Sequence, residues 1–445
     1  MQRLDALRER LRLSLWFVPA VFGIGAAIGA LLVLALDRQL AEEGLEFFRF
    51  GGTAEGARSV LSTVAQSMLT FTGLVFTITM LVLQLASNQL SPRVMRTYLR
   101  DRKNQVVLGL FVATFLFTLV VLREVRSADG DEAFVPGVAV WVSFALLVAS
   151  IGAFVFYIDH MAHAIRASTV IASIGDEARE ALDRLYPANG DDHGDEAARS
   201  PFGSLVRDVH AERPGVLVGI DDHGIVKTMR EHGLAVEVIP MVGDFVTRGS
   251  VLFRLFDSPG GDATVDGGGA ARLDIDERLR AVLTLGDERT MQQDLAFGIR
   301  QLVDIGARAL SPGTNDPTTA VQAMDQVHDV MRQLVRRPFP SSLARDAAGV
   351  VRLVRRTPTW DHYVGLAFDE LRLYGAGHLQ VTRRLAIALT DLASIASDSR
   401  AVPLRDRLDR LERGIDRDFE DRADRASAER GNRSGQGAGG PGRTA

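Results

Sequence analysis

Four long apolar runs, at 14–36, 60–86, 106–122 and 135–158, stand out from an otherwise charged chain. Each is close to the roughly 20 residues with which a helix crosses about 30 Å of hydrocarbon. None contains an Asp, Glu, Lys or Arg. The pattern predicts four transmembrane helices in residues 1–158. Arg3, Arg8, Arg10 and Arg12 precede the first run as they would in a secretory signal. That run is longer than a signal core and three more spans follow, so it is read as a retained span. It carries Gly25-Ala-Ala-Ile-Gly29, a close-approach face expected to pack on a neighbouring span of the same chain, with dimerisation as the alternative. Trp16 and Trp141 fall near span ends, as in an aromatic belt.

The second run has a polar stripe. At about 100° per residue, Thr63, Gln66, Ser67, Thr70, Thr77, Gln84 and Asn88 share a sector roughly 100° wide, bordered by Gly73. Amides in hydrocarbon need a hydrogen-bond partner or water, so this face is expected to point into the bundle or a wet cavity. One reading is interhelical bonding that holds the bundle together. The other is a pathway in which hydroxyl and amide dipoles replace a permeant's hydration shell. Thr72 and Thr79 lie on the opposite face and are expected to bond back to their own helix. With no Asp, Glu, Lys, Arg or His inside any span, a transmembrane proton relay has no evident carrier.

Basic residues set the expected orientation. They gather before the first span and between the second and third, where Arg93, Arg96, Arg100, Arg102 and Lys103 lie. Between the third and fourth spans Arg123 and Arg126 face four acids. The positive-inside rule then puts both termini in the cytoplasm of a cell whose inner membrane holds the spans. Ser91-Pro92 reads as the start of a short helix presenting Arg93, Arg96 and Arg100 to lipid phosphates.

Over all 445 residues, 51 Lys plus Arg against 56 Asp plus Glu leave a net charge of −5, which gives no reason to expect nucleic acid. The absence of cysteine excludes disulfides, thiolate metal sites and a Cys nucleophile.

Beyond the spans, a helix is expected from Asp159 to about Leu185, in a helical connector and loop at 159–200. Asp159, His160 and His163 suggest at most a weak metal site, and a solvated histidine pair is the simpler reading. The period turns strand-like over 201–260, predicting a small β module. Its Val242-Gly-Asp-Phe-Val246 and Arg248-Gly-Ser-Val-Leu-Phe253 read as strand, turn, strand and resemble the turn of lipoyl-type barrel-sandwich domains. Lys227 lacks the flanking residues of a modified hairpin, so the module is taken as barrel-like, structural and free of a cofactor.

Residues 261–430 read as mainly helical: 290–310 is one helix, 361–373 another, and 379–396 and 404–419 close the domain. Residues 349–354 are a candidate strand, and 431–445 a disordered tail. In the last helix Leu404, Leu408, Leu411 and Ile415 form a seam for packing at home or on another subunit. Pro312-Gly313 stops a helix, Asp316 caps the next and Pro317 opens it. At that corner Thr314, Asn315, Asp316, Thr318 and Thr319 could hold an anion or order a partner loop, although a tight corner requires the same residues. No nucleophile, base and orienting group assemble in the sequence, so no enzyme is expected.

The segments Ser67-Met-Leu-Thr-Phe-Thr-Gly73 through Leu83-Gln-Leu-Ala-Ser-Asn-Gln-Leu-Ser-Pro-Arg93, Arg289-Thr-Met-Gln-Gln-Asp294, Phe297-Gly-Ile-Arg-Gln-Leu-Val-Asp304, Ala309-Leu-Ser-Pro-Gly-Thr-Asn-Asp-Pro317 and Ala367-Phe-Asp-Glu-Leu-Arg372 form a set. Together they resemble a bacterial family of predicted integral membrane proteins, domain of unknown function 2254. The family commonly shows a His-His pair where this chain has Asp159-His160. The resemblance implies a location and an architecture and brings no activity with it. The resulting expectation is an α-helical membrane protein with a cytoplasmic α+β domain, homo-oligomeric, acting as a channel or transport component for an ion or small solute. The alternative is a membrane-anchored sensor or scaffold whose cytoplasmic domain binds a partner.

Overall fold

The computed structural model describes residues 16–42, 51, 53–89, 102–125, 135–164, 166–189, 202–257 and 269–429. They form two compact units, Met1–Val170 and Ile171–Ala445.

The first unit holds α1 (Phe17–Glu42), α2 (Ala54–Gln89), α3 (Arg102–Glu124) and α4 (Gly137–Ala164). All four are long and apolar enough to cross a bilayer. The third is central: α3 packs on α1, α2 and α4, whereas α1 and α2 have little direct contact. Two apolar clusters fill the bundle, one around Leu34, Leu61, Phe117 and Val121 and the other around Met68, Val75, Phe111 and Tyr157. Phe71 stacks on Phe154 at 4.9 Å between centroids within the second.

Several polar groups inside the bundle are matched. The Tyr157 hydroxyl lies 2.7 Å from Thr79 Oγ1 and donates to the Val75 carbonyl at 3.0 Å, and Thr114 meets Ser150 at 3.0 Å. Asp37, just past the first apolar run, caps α4: its two oxygens accept the Val138 and Ala139 amides, each at 2.9 Å. That satisfies two of the four orphan donors at a helix start. The expected close approach through Gly25 and Gly29 is corrected. A Cβ there would meet nothing within 4 Å, whereas at Gly23 it would press Leu116 at 2.9 Å and at Gly109 Phe22 at 3.0 Å. Backbones approach where the small residue lies between α1 and α3, and Gly25 and Gly29 face outward.

The single helix expected from Asp159 to Leu185 is two. Residues up to Ala164 complete α4, and α5 (Ala167–Leu185) starts afresh with the Arg166 carbonyl accepting the Val170 amide at 3.3 Å. The pattern changes there too, since α4 is apolar all round while α5 buries one face through Ile171, Ile174, Ala178 and Leu182.

The second unit runs β1 (Leu205–His210), β2 (Gly215–Ile220), α6 (Asp222–Glu231), β3 (Leu234–Val238), β4 (Phe245–Val246), β5 (Val251–Asp257), α7 (Gly269–Ala281) and β6 (Leu283–Gly286). Next come α8 (Leu295–Ala309), α9 (Pro317–Leu334), β7 (Leu343–Arg345), β8 (Val351–Arg355), α10 (Trp360–Tyr374), α11 (Leu379–Ile395), α12 (Asp398–Asp418) and α13 (Arg422–Glu429). The strands form two sheets, β1-β5-β3-β8-β7 and β4-β2-β6. The β3–β8 pair is parallel and the others are antiparallel.

Among the described residues neither sheet closes, which leaves the barrel-like module unconfirmed: the strands form two open sheets, with one core that includes Leu217, Ile225, Val236, Phe253 and Leu279. The segments read as strand, turn, strand do not pair: β4 joins β2, while β5 lies between β1 and β3. Strands β6, β7 and β8, which complete the sheets, come from the stretch read as mainly helical.

The remaining helices pack α8 on α9 and α10, α9 on α11, and α12 on α11 and α10. Leu404, Leu411 and Ile415 of the expected seam are buried in this unit. Trp360 is 1% exposed, and its indole donates to the Arg400 carbonyl at 2.8 Å. Tyr186 and Tyr363 join hydroxyls at 2.8 Å beside Phe339.

Candidate functional site

The second span carries three faces. Leu61, Val64, Met68, Val75 and Val82 are buried against the bundle. About 140° away by helical geometry, Thr63, Gln66, Thr70, Thr77 and Gln84 are exposed on the outside of the unit, with Ser67 half-buried. Between these, Leu69, Phe76 and Met80 line a cleft toward α1. The expectation that the polar face turns into the chain's own bundle is therefore corrected: the bundle takes the apolar face, because α3 offers it an apolar groove. The Asn88 side chain lies outside the described residues.

Hydroxyls on the stripe bond to their own backbone. Thr63 donates to Ser59 O at 2.8 Å, Ser67 to Thr63 O at 2.7 Å, Thr70 to Gln66 O at 3.1 Å and Thr77 to Gly73 O at 2.9 Å. These bonds satisfy the proton and leave oxygen lone pairs outward. The Gln66 and Gln84 amides have no such local solution, and neither finds a side-chain partner among the described residues. Thr72 and Thr79 bond back to Met68 O and Val75 O as the sequence predicts.

Arg93, Arg96 and Arg100 lie outside the described residues. Asp159 and His160 lie in α4, where the His160 ring stacks on Phe156 at 5.8 Å. The His163 side chain lies outside the described residues, and no group of three His, Asp or Glu with metal-ligand geometry occurs among those described.

At the corner Asp316 caps α9: Oδ1 accepts the Thr319 amide at 3.1 Å and Oδ2 its hydroxyl at 2.6 Å. The Asp316 amide closes the corner on Ala309 O at 2.7 Å. Asn315 holds φ +47°, a left-handed conformation that Asn tolerates, and it is exposed with Thr314 and Thr318. Asp316 and Thr319 are thus spent on each other.

A charged cluster in the second unit escaped sequence reasoning. Asp294, 5% exposed, caps α8 through Phe297 N at 3.0 Å and takes Arg289 Nε and Nη2 at 2.8 and 2.7 Å on its other oxygen. Arg289 also lies 5.4 Å from the Phe297 ring centroid. Burial pushes the Asp294 carboxyl up from its ordinary value, against Arg289 and the Phe297 amide. Burial, with Arg289 nearby, pulls His362 down. Gly243, at φ +98°, makes room: a Cβ there would meet Asp294 Oδ2 at 2.7 Å and Arg289 Nη2 at 2.8 Å. The Val-Gly-Asp turn is thus explained by an ion pair packed on its glycine. The signal available in sequence was Arg289 and Asp294 at the two ends of a short polar lead-in to a helix.

A second network joins α9 to α11. Buried Arg384 donates to Asp325 at 2.6 Å and lies 2.9 Å from His328 Nδ1, whose Nε2 meets Asp391 at 2.9 Å. Burial, and then Arg384, lower the His328 pKa, which keeps the ring neutral with Nδ1 as acceptor.

The family model for "Predicted membrane protein (DUF2254)" matches residues 12–391. Uncharacterized proteins of Mycobacterium bovis and of Mycobacterium tuberculosis are each 33% identical over 431 residues, 96% of this chain and 81% of theirs. No solved structure matches. With helices long enough to span a bilayer at its start and a family match over most of its length, the chain belongs to the DUF2254 family of predicted membrane proteins.

Proposed function

We propose that copies of this chain assemble in the bacterial inner membrane into a channel or transport component, with α2 lining a route for an ion or small solute. The carrying observation is the outward position of Gln66, Thr70, Thr77 and Gln84 on a bundle whose other outward faces are apolar. An amide moved from water to hydrocarbon without a hydrogen bond costs about 4 to 8 kcal/mol, so this face calls for water or a second polar face. Facing copies of α2 supply both, and the outward Gly25 and Gly29 leave α1 open to close approach by a neighbour. The clusters of Arg before α1 and between α2 and α3 favour a cytoplasmic second unit, to which we assign a regulatory role.

The test is flux of potassium or a small neutral solute through liposomes holding the full chain, against Thr70→Leu, Thr77→Leu and Gln84→Leu. Flux reduced in the variants at equal reconstitution supports the pathway; flux no higher than in empty liposomes removes it. The competing scaffold reading draws on the exposed Asn315, whose replacement would then abolish partner capture and leave permeability unchanged.

A further inference from the structure

At the end of the bundle formed by the start of α3 and the end of α4, α1 and α2 part to leave a cleft floored by α3. It encloses about 640 Å³, runs along α2 from Leu69 to Leu83, and is bounded by Trp16 just before α1, Ala20 of α1, Val112 of α3 and Met161 of α4. The volume falls in the roughly 300 to 1,000 Å³ range of ligand sites. Its length along α2 is about 21 Å at 1.5 Å per residue, enough for a chain that fills one leaflet of about 15 Å.

The lining is apolar apart from Thr72 and Thr79, whose hydroxyls bond back to their own helix, and one end where Asn104 and Gln105 stand at the first turn of α3. Asn104 Oδ1 is buried there with no partner among the described residues. An apolar cleft stays free of water, and the cost of an empty one rises with its volume, so in a bilayer the cleft takes an occupant. The amides lie where Trp16 marks the interface, so that occupant has an apolar tail and a polar end at headgroup depth.

We infer that the cleft is a phospholipid site: one acyl chain lies between α1 and α2, and the Asn104 amide turns to the cleft so that its Oδ1 takes a hydrogen bond from the headgroup. An acceptor without a donor discriminates among headgroups. The ammonium of phosphatidylethanolamine and the hydroxyls of phosphatidylglycerol can donate; phosphatidylcholine cannot.

The test uses the full chain in detergent, incubated with an equimolar mixture of the three phospholipids with matched chains. After exchange into lipid-free detergent, retained lipid is quantified by mass spectrometry. The expected result is retention with phosphatidylethanolamine and phosphatidylglycerol enriched severalfold over phosphatidylcholine. Asn104→Leu should abolish the preference while lipid is still retained. Gly73→Phe fills the cleft from a position where a Cβ meets nothing within 4 Å, and should cut retention several-fold. Gly25→Phe, equally open but outside the cleft, should leave it unchanged. Retention blind to headgroup, or equal in the two phenylalanine variants, overturns the inference. So does a disulfide between copies from Ala20→Cys in this cysteine-free chain, since it would put a second copy in the cleft.

Discussion

Removing either partner of the Arg289–Asp294 pair should destabilise the second unit, and unequally. Asp294→Ala deletes the α8 cap, about 1 kcal/mol. It also strands Arg289, whose side chain is 30% exposed and can turn to water, so this loss is about 1 to 2 kcal/mol once discounted for solvent. Arg289→Ala leaves a carboxylate whose side chain is 3% exposed, where breaking a buried pair costs about 3 to 5 kcal/mol. At neutral pH Arg289→Ala is therefore the worse variant by about 1 kcal/mol. Its penalty shrinks on acidification, because the stranded Asp294, already raised by burial, takes up a proton. Hydrogen exchange at the first amides of α8, in the full chain in detergent, reads the loss locally for each single variant and for the double. Coupling of at least about 1 kcal/mol is expected for groups in contact. Additive single effects, or an Arg289→Ala penalty that stays constant from neutral to mildly acidic pH, would refute the reasoning.

Gly243→Ala should cost about 1 to 3 kcal/mol from the positive φ and the contact with Asp294, read as a lower melting temperature, whereas Gly249→Ala, equally left-handed but open, should show strain alone. His328 is neutral in the fold with its pKa lowered, so its contribution is complete above the unfolded value of about 6.5 and is lost as pH falls from there toward the folded value. Melting followed from pH 8 to 5 should show that decline flattened in His328→Gln; an identical profile would remove His328 as the cause. At the corner, Asn315→Gly should be tolerated, while Asn315→Val should lose about 1 to 2 kcal/mol by denaturant titration, the penalty of a left-handed residue with a Cβ.

Much of the architecture was legible because its signals are local. Charge-free runs marked the spans, and Asp316-Pro317 marked the α9 cap. Residues 349–354 anticipated β8. What failed depends on tertiary partners. That β4 and β5 go to different sheets follows from pairings with distant β2, β1 and β3. The start of α12 at Asp398 was hidden by Pro403, which the helix carries inside it. The stripe on α2 was visible in sequence, but its outward direction was not. Periodicity tells which residues share a face, and only the groove on α3 decides which face is buried. The Arg289–Asp294 pair was missed because burial, rather than residue type, makes it consequential.

The position of α3 constrains how the bundle is made. Because α1 and α2 scarcely touch except across it, the first two spans have little to hold them together when they leave the ribosome. They would wait as separate helices until the third is inserted. Biogenesis should therefore show an abrupt gain in protease resistance once synthesis has passed Glu124, and a nascent chain halted before Arg102 should stay dispersed.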